Sequence, residues 1–243
     1  MRGRLFATLL VFGLAGAATY AVATGWLAIP DDYNPWGELD AAAQPNLLTS
    51  IKLRRAREDA MRCFTSLRQL DVKYTGVPDR DTGPGCGFRD ALRMSGVGAL
   101  KLQPSVILSC RAALSFGMWE RHALQPAARE HLGAPLVAVR NLGSYACRDV
   151  NTGEPVPEGA RRSRHATADA IDIAAFVPAE GRAVTLVDDW TRRDGVAQPG
   201  RAPFLRDAHA GACRFFDGVL GPDYNAVHYD HFHLEDGGWR SCR

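Results

Sequence analysis

The chain has 243 residues, which is long enough for one domain with a substantial core and an appendage. Its 29 Lys and Arg residues nearly balance its 27 Asp and Glu residues, leaving a formal charge of +2. This balance gives no reason to expect a nucleic-acid partner, because such a protein shows a basic patch or stripe. No internal repeat and no low-complexity block is present, so the composition is that of an ordinary globular domain.

The N-terminal segment is basic at its start and then apolar. Residues 6–29 carry no charge, and this length is enough to span a bilayer of about 30 Å as a helix. With Arg2 and Arg4 in the cytoplasm, a transmembrane helix here would place the rest of the chain outside. A cleaved signal peptide is the alternative, because small residues at 15–17 and 21–23 stand at suitable offsets. We therefore expect a single-pass inner-membrane protein with a periplasmic domain, or a periplasmic protein after signal cleavage.

Residues 30–46 predict a linker, since prolines, glycine and acidic residues interrupt any periodicity, and residues 47–243 form the predicted domain. Apolar periodicity within the domain predicts helices at residues 47–70, 104–119, 124–132 and 203–220. It predicts strands at residues 72–77, 97–102, 135–140, 168–176 and 182–187, and a final strand that carries residues 231 and 233. This alternation is too irregular for a doubly wound sheet, so we predict an α+β fold with a small, mostly antiparallel sheet surrounded by helices.

Six cysteines follow the apolar segment, and none of them forms a Cys-x-x-Cys pair. An even number in an exported domain predicts three disulfides, with free buried thiols as the alternative. Fifteen pairings of six cysteines are possible. Cys242 stands next to the C-terminal residue, and we expect it to pair with Cys213. The cysteines are Cys63, Cys86, Cys110, Cys147, Cys213 and Cys242.

Three of the seven histidines fall within residues 228–233. His231 and His233 are two residues apart, so in a strand both imidazoles point to the same face. His228 precedes them at the entry to the strand. Neighbouring imidazoles on a rigid face suit a metal ligand with a base beside it, whereas the simpler alternative is a polar strand end with satisfied histidines.

Further ligands for a metal are expected in residues 163–172. Asp172 lies in a predicted buried strand between alanines, where an unpaired carboxylate would be costly. His165 stands in the turn before that strand and can fold back over it. Together with His233 these residues offer two nitrogens and one oxygen, a set that suits Zn2+ with one position left open.

The remaining candidates concern the reaction and the substrate. His231 shares a face with His233 and is our predicted general base, with His228 as a helper or transition-state stabiliser. Glu235 is a lesser candidate for the base, and Asp230 can orient a histidine. We predict that Tyr145, Arg148 and Ser163 contact the substrate. The alternative, which is equally open, is that Tyr145 only packs against other residues and Arg148 is a surface charge. Arginines at positions 161, 162 and 164 can hold a substrate carboxylate or remain solvated loop charges.

The motif Ser-x-His-x-x-Ala-x-Ala-x-Asp at residues 163–172, followed by His-x-His at 231–233, resembles a known metallopeptidase group. That group unites lysostaphin-type endopeptidases, D-alanyl-D-alanine peptidases and the hedgehog signalling domain. The spacing of the last three histidines is most similar to penicillin-insensitive murein endopeptidases. The group usually carries Gly at the position of Ala168.

From about residue 47 onward the chain also resembles the bacterial extensin-like C-terminal domain family. The matching segments are GSYACR at 143–148, the motif at 163–173, DDW at 188–190, FL at 204–205, C-x-x-F at 213–216, and LGP at 220–222 through HFH at 231–233. For the matching histidines, the murein endopeptidase resemblance implies the same roles as the residues themselves suggest. Zinc would bind to His165, Asp172 and His233, and His231 would act as the base.

These observations predict a zinc-dependent hydrolase. Neither a Gly-x-Ser-x-Gly elbow nor a Gly-rich phosphate loop is present, so metal-assisted amide hydrolysis is the leading reaction class. Location and resemblance imply peptide bonds of cell-wall peptidoglycan as the substrate, cut by an endopeptidase or carboxypeptidase. The alternative is a non-catalytic, zinc-stabilised module that binds the cell wall or a partner, as the hedgehog domain illustrates. A third reading has no metal, and the histidines form a hydrogen-bond network.

Overall fold

The computed structural model describes residues 2–27, 29–151, 161–190 and 200–243, and the chain divides into two compact units, residues 1–38 and 39–243. The first unit holds helix α1 (Arg2–Ala23) and a 3-10 turn (Asp31–Tyr33). The predicted transmembrane helix is not found: among the described residues, no helix combines the length and apolar character that crossing a membrane requires. Helix α1 includes the two basic residues and ends at Ala23, before Gly25 with its positive φ, so it is offset from the predicted span 6–29.

In the second unit, helices precede the first strand and also lie between later groups of strands. Its helices are α2 (Thr49–Glu58), α3 (Ala60–Leu67), α4 (Cys110–Trp119), α5 (Gln125–Leu132), α6 (Leu186–Asp189) and α7 (Arg201–Ala212). A π-helical turn (Glu120–Leu124) joins α4 to α5. The strands are β1 (Val72–Gly76), β2 (Arg80–Gly83), β3 (Cys86–Phe88), β4 (Ala91–Val97), β5 (Leu100–Ser109), β6 (Leu136–Gly143), β7 (Ala170–Pro178), β8 (Val184–Thr185), β9 (Gly218–Leu220), β10 (Phe232–Glu235) and β11 (Ser241–Cys242).

One large sheet organises this unit, in the order β1-β4-β5-β6-β7-β10-β9-β11, with β8 beside β7. Neighbouring strands are antiparallel except for β5 with β6 and β9 with β11. The crossover through α4 and α5 explains the first exception, because a parallel pair needs a long connection. The α+β class is therefore confirmed, whereas the predicted small sheet is corrected to a mixed sheet of nine strands, in which most neighbouring pairs are antiparallel.

Several predicted elements differ from the structure near their ends. The predicted strand 97–102 is divided between the end of β4 and the start of β5, which a tight turn joins at Gly98, with a φ of +53°. The predicted helix 104–119 begins only at Cys110, because residues before it continue β5 and Ser109 caps the helix by accepting from the Ala112 N–H. The predicted helix 47–70 is interrupted at Asp59, which is extended and accepts from the Arg62 N–H at 2.9 Å. The predicted helix 203–220 ends at Ala212, and its last residues form β9.

The core of the unit lies between the helices and one face of the sheet. Trp119, at the end of α4, is fully buried and packs edge-on against Phe176 of β7 and Phe116 of its own helix. Its indole N–H donates to the Ala208 carbonyl of α7 at 2.9 Å, so its polar atom is satisfied. The second unit begins at Leu39, which is itself buried, so part of the predicted linker packs on the domain.

The structure contains three disulfides, and their number agrees with the prediction. They join Cys63 to Cys110, Cys86 to Cys147 and Cys213 to Cys242, and the last pair is the one expected from the sequence. Cys242 lies in β11 and Cys213 directly follows α7, so this bridge fixes the C-terminal strand to the helix.

We expect that replacing both Cys213 and Cys242 with serine lowers the free energy of unfolding by about 2–4 kcal/mol, because the bridge restricts the unfolded chain. Its two cysteines are 29 residues apart in sequence. Urea unfolding of wild type and variant, both in a chelator so that metal loss does not contribute, gives the difference. An unchanged unfolding midpoint at the same slope would contradict this expectation.

Candidate metal site

Two adjacent strands carry two of the predicted ligands side by side. In the antiparallel pair of β7 and β10, His233 lies directly opposite Asp172. Their neighbours Ile173 and Phe232 are fully buried in the core. Because side chains alternate along a strand, Asp172 and His233 both point to the other face, away from that core.

The third predicted ligand comes from a short 3-10 helix (Arg164–Thr167) immediately before β7. Ser163 begins this helix, and its hydroxyl accepts the His165 N–H at 3.3 Å. Ala168 ends it in the left-handed conformation, with a φ of 57°. This backbone angle is one that Gly adopts more readily than any other residue. The turn directs His165 back over the start of β7.

The three side chains meet at one point. The distance from Asp172 Oδ2 to His165 Nε2 is 3.1 Å, and the distance from Asp172 Oδ1 to His233 Nδ1 is 2.9 Å. His165 Nε2 and His233 Nδ1 are 3.1 Å apart. All three potential ligand atoms thus lie within 4.8 Å of one another. The structure brings together the set that the sequence predicts.

The outward nitrogen of each imidazole is engaged by another acceptor. His165 Nδ1 donates to the Ser144 carbonyl, and His233 Nε2 donates to the Glu235 carboxylate at 3.0 Å. These contacts leave His165 Nε2 and His233 Nδ1 as the inward nitrogens. Acceptors of this kind commonly fix the orientation of metal-bound histidines.

The chemistry of this set fits zinc, because it offers two imidazole nitrogens and one carboxylate oxygen in a largely buried position. Two other groups among the described residues also bring three potential ligands together. One consists of His209 with Cys213 and Cys242, whose sulfurs are consumed by their disulfide. The other, on α5 and α7, consists of Glu130, His131 and Asp207 and is more exposed.

Burial and close contacts perturb the pKa values of Asp172 and His233 in the metal-free protein. Burial alone would raise the pKa of Asp172, but hydrogen bonds and positive charge from His165 and His233 hold it well below its usual range. Burial alone would lower the pKa of His233, but the carboxylates of Asp172 and Glu235 raise it to about 9. In the metal-free protein at neutral pH, His233 therefore carries a proton and Asp172 does not.

We expect the apparent zinc affinity to rise about tenfold per pH unit between pH 6 and 8. With its pKa raised to about 9, His233 must lose one proton before Nδ1 can bind a metal, and below that pH the proton competes with zinc. Competition titrations against a chromophoric chelator measure the slope. Calorimetry in buffers of different ionisation enthalpy counts the released proton independently. An affinity that is flat or falls across this range would contradict the expectation.

A cleft of about 620 Å3 is lined by Asp172 and His233 and also by His231 and His228, whereas His165 is buried behind it. His231 lies immediately before β10, one residue outside the strand in which we predicted it. Its Nε2 is nevertheless 3.7 Å from Asp172 Oδ1, and its Nδ1 is 2.9 Å from Asp230 Oδ1. Asp230 thus orients His231, and Nε2 faces the ligand cluster.

His228 is held by a residue that we did not identify from the sequence. Asn225 Oδ1 accepts both the Val227 N–H at 3.0 Å and His228 Nδ1 at 2.6 Å. His228 Nδ1 therefore carries a hydrogen, and Nε2 is left as an acceptor. Burial and the positive charges of His233 and His231 lower the pKa of His228 to about 4, so it is neutral at pH 7. Asn225 caps the 3-10 helix that ends at His228, and asparagine is a preferred residue at such a position. This preference could have identified Asn225 from the sequence.

Of the predicted substrate contacts, Arg148 and Ser163 line the cleft, and Arg148 Nη2 lies 3.9 Å from Asp172 Oδ2. Tyr145 does not line it: its hydroxyl is 2.7 Å from the Thr82 hydroxyl and its ring packs edge-on against Phe88. This matches the packing alternative for Tyr145.

The three loop arginines have different surroundings. Arg162 pairs with Asp149 at 2.8 Å, and Arg164 donates to the Gly237 carbonyl. Arg161 lines the cleft. A larger cleft of about 800 Å3, which includes Arg111 and Asp169, contains none of the three predicted ligands. The chemistry described here therefore belongs to the smaller cleft.

Comparison with known proteins gave one match. The sequence model of the family described as "Extensin-like protein C-terminus" matches residues 61–243, which includes every candidate ligand and both predicted catalytic histidines. The comparisons with curated proteins and with solved structures gave no match.

Proposed function

The chain belongs to the extensin-like protein C-terminus family, and from this membership and its candidate site we propose that it is a zinc-dependent hydrolase of peptide (amide) bonds in cell-wall peptidoglycan. One observation carries the proposal: the ligand atoms of His165, Asp172 and His233 converge within 4.8 Å, and the last two residues line an open cleft. The resemblance of the two histidine motifs to murein-cleaving metallopeptidases supports the reaction class.

Each proposed role follows from the position of a side chain. His165 Nε2, Asp172 and His233 Nδ1 would hold the zinc, which when bound supplies a Lewis acid and a water whose pKa is lowered to about 7. His231 Nε2 is placed to take a proton from the attacking water and to return it to the nitrogen of the breaking C–N bond. The Asp230 carboxylate keeps the proton of the resting imidazole on Nδ1, which leaves Nε2 free as the base.

The other polar side chains of the cleft would orient the substrate. Neutral His228 presents an acceptor nitrogen, which suits an amide N–H of the substrate rather than a developing negative charge. Arg148 can pair with a substrate carboxylate or carbonyl close to the ligands, and Ser163 offers a hydroxyl at the same cleft.

The proposed location is outside the cytoplasm, in the periplasm or at the cell exterior. Three disulfides, with no free cysteine among the described residues, are typical of proteins that fold in an oxidising compartment. Peptidoglycan is the abundant peptide-containing polymer of that compartment, so location and reaction class together suggest the substrate. Whether the N-terminal segment anchors the protein or is cleaved stays a prediction.

The proposal is tested by incubating the zinc-loaded, full-length protein with purified cross-linked muropeptides. We expect new fragments by mass spectrometry, each with a free amine and a free carboxylate, and no fragments after chelation. A protein that binds zinc but leaves every muropeptide intact would instead favour the binding module, because its metal would then only stabilise the fold.

A further inference from the structure

We infer that Glu235 is a positioning residue of the candidate zinc site, which accepts a hydrogen bond from His233 Nε2 and thereby presents His233 Nδ1 to the metal. The inference rests on the proposed function insofar as it requires a metal at this site. It does not require hydrolysis, so the two can fail separately. It gives Glu235 a role that differs from that of the general base.

The first observation is the geometry of β10. His233 and Glu235 are two residues apart in this strand, so their side chains share one face. The distance from Glu235 Oε2 to His233 Nε2 is 3.0 Å, while His233 Nδ1 lies 2.9 Å from Asp172 Oδ1. The two ring nitrogens thus have different partners, one on each side of the ring. A carboxylate on the outer nitrogen fixes both the tautomer and the ring orientation.

The second observation is a cradle of two glycines around the Glu235 carboxylate. Gly218 of β9 lies opposite Glu235 in the sheet, and a Cβ atom built at Gly218 would be 2.5 Å from Glu235 Cγ. A Cβ atom built at Gly238 would collide with Glu235 Oε1. Because Gly218 and Gly238 have no side chain, the Glu235 side chain fits beside them. A larger residue at either position would displace the Glu235 side chain. Its side chain is also largely buried, with 17% exposed.

Glu235 also lines the cleft, but its hydrogen bond to His233 favours a positioning role over proton transfer to substrate. Its Oε2 accepts from the outer nitrogen of His233, whereas the inner nitrogen of that ring faces Asp172. His231, in contrast, has Nε2 directed at the cluster. Glu235 therefore acts through His233, and its effect must appear first in metal binding.

Zinc dissociation constants of Glu235→Gln and Glu235→Ala test the inference, with Glu180→Gln as the matched control because Glu180 is exposed just after β7. We expect Glu235→Ala to weaken zinc binding about 10- to 100-fold. Glu235→Gln should weaken it less, since the amide oxygen still accepts a hydrogen bond, and Glu180→Gln should have no effect. Circular dichroism confirms that each metal-free variant is folded.

Two further measurements separate positioning from general stability. Nitrogen-15 NMR of the zinc-loaded wild type should show the His233 hydrogen on Nε2, and this signal should shift in Glu235→Ala. Gly218→Ala should also weaken zinc binding by displacing Glu235, whereas the strand control Gly76→Ala should not, since a Cβ there meets nothing within 4 Å. Zinc affinity of Glu235→Ala within twofold of wild type overturns the inference alone. A wild type that binds no zinc overturns both it and the proposed function, and absent hydrolysis with the expected affinities overturns only the function.

Discussion

The double substitution His165→Ala and Asp172→Ala is expected to abolish stoichiometric zinc binding. Together these side chains provide two of the three ligand atoms that lie within 4.8 Å of one another. His233 alone cannot retain the metal, because a catalytic zinc usually takes three protein ligands. The expected loss of affinity is therefore at least about 10^4-fold, since loss of an outer-sphere partner alone already costs about 10- to 100-fold.

Elemental analysis of the purified full-length protein measures this result, with about one zinc expected per wild-type chain. The matched control is His131→Ala with Asp207→Ala, which removes another His–Asp pair with an N–O distance of 2.7 Å, on α5 and α7. The control should keep its zinc. The proposed mechanism would lose its basis if the His165 and Asp172 double variant retained zinc. It would also lose its basis if wild type took up no zinc after dialysis against zinc.

The substitution His231→Ala is expected to retain zinc and to lower the rate of muropeptide cleavage about 10^2- to 10^4-fold, the range typical for a general base. His231 Nε2 lies 3.7 Å from Asp172 Oδ1, close enough to serve the reacting water without belonging to the convergent ligand set. Removing the imidazole therefore takes away the proton acceptor and leaves the ligands in place.

The measurement pairs initial rates with zinc content for the same preparations, and His131→Ala provides a histidine control outside the cleft. The pH–rate profile adds a second readout, since the limb due to the base should disappear in His231→Ala. A variant that cleaves at the wild-type rate would assign the base elsewhere. If neither protein cleaves although both hold zinc, the binding-module function is the better description.

The central part of the site could be predicted because it depends on short-range patterns. Alternation along a strand predicts the face of Asp172, and the turn before it predicts that His165 can fold back. His231 lies near the cluster for a different reason than expected, since it precedes β10 and reaches the cluster from the connecting segment. Local spacing thus identified the residue but not its backbone conformation.

Contacts made by backbone atoms and by distant segments could not be predicted. The acceptor for His165 Nδ1 is the carbonyl of Ser144, and a carbonyl has no sequence signature. Tyr145 stands near Arg148 in sequence, yet the two side chains face different surroundings because Tyr145 packs on Phe88. Such a choice depends on how the β2–β3 hairpin docks, which is a long-range contact.

The errors in the fold have a related cause. Residues 104–109 form a short apolar segment whose pattern suits either a strand or the first turns of the following helix. The structure extends β5 through them, and the alternating burial of Val106 and Leu108 fits that assignment. The parallel pairing of β5 with β6 likewise depends on a crossover of two helices, whose path the strand sequences do not encode.

The conformation of Ala168 has a consequence for which residues this chain can carry at that position. Its left-handed backbone favours Gly and excludes β-branched residues, while its complete burial against Phe88 and Ala91 leaves no volume for a longer side chain. The position therefore favours the smallest residues, such as Ala and Gly. A substitution by Val or Thr there would force the turn that carries His165 to rebuild, so a change in a purely apolar side chain can separate the three converging side chains.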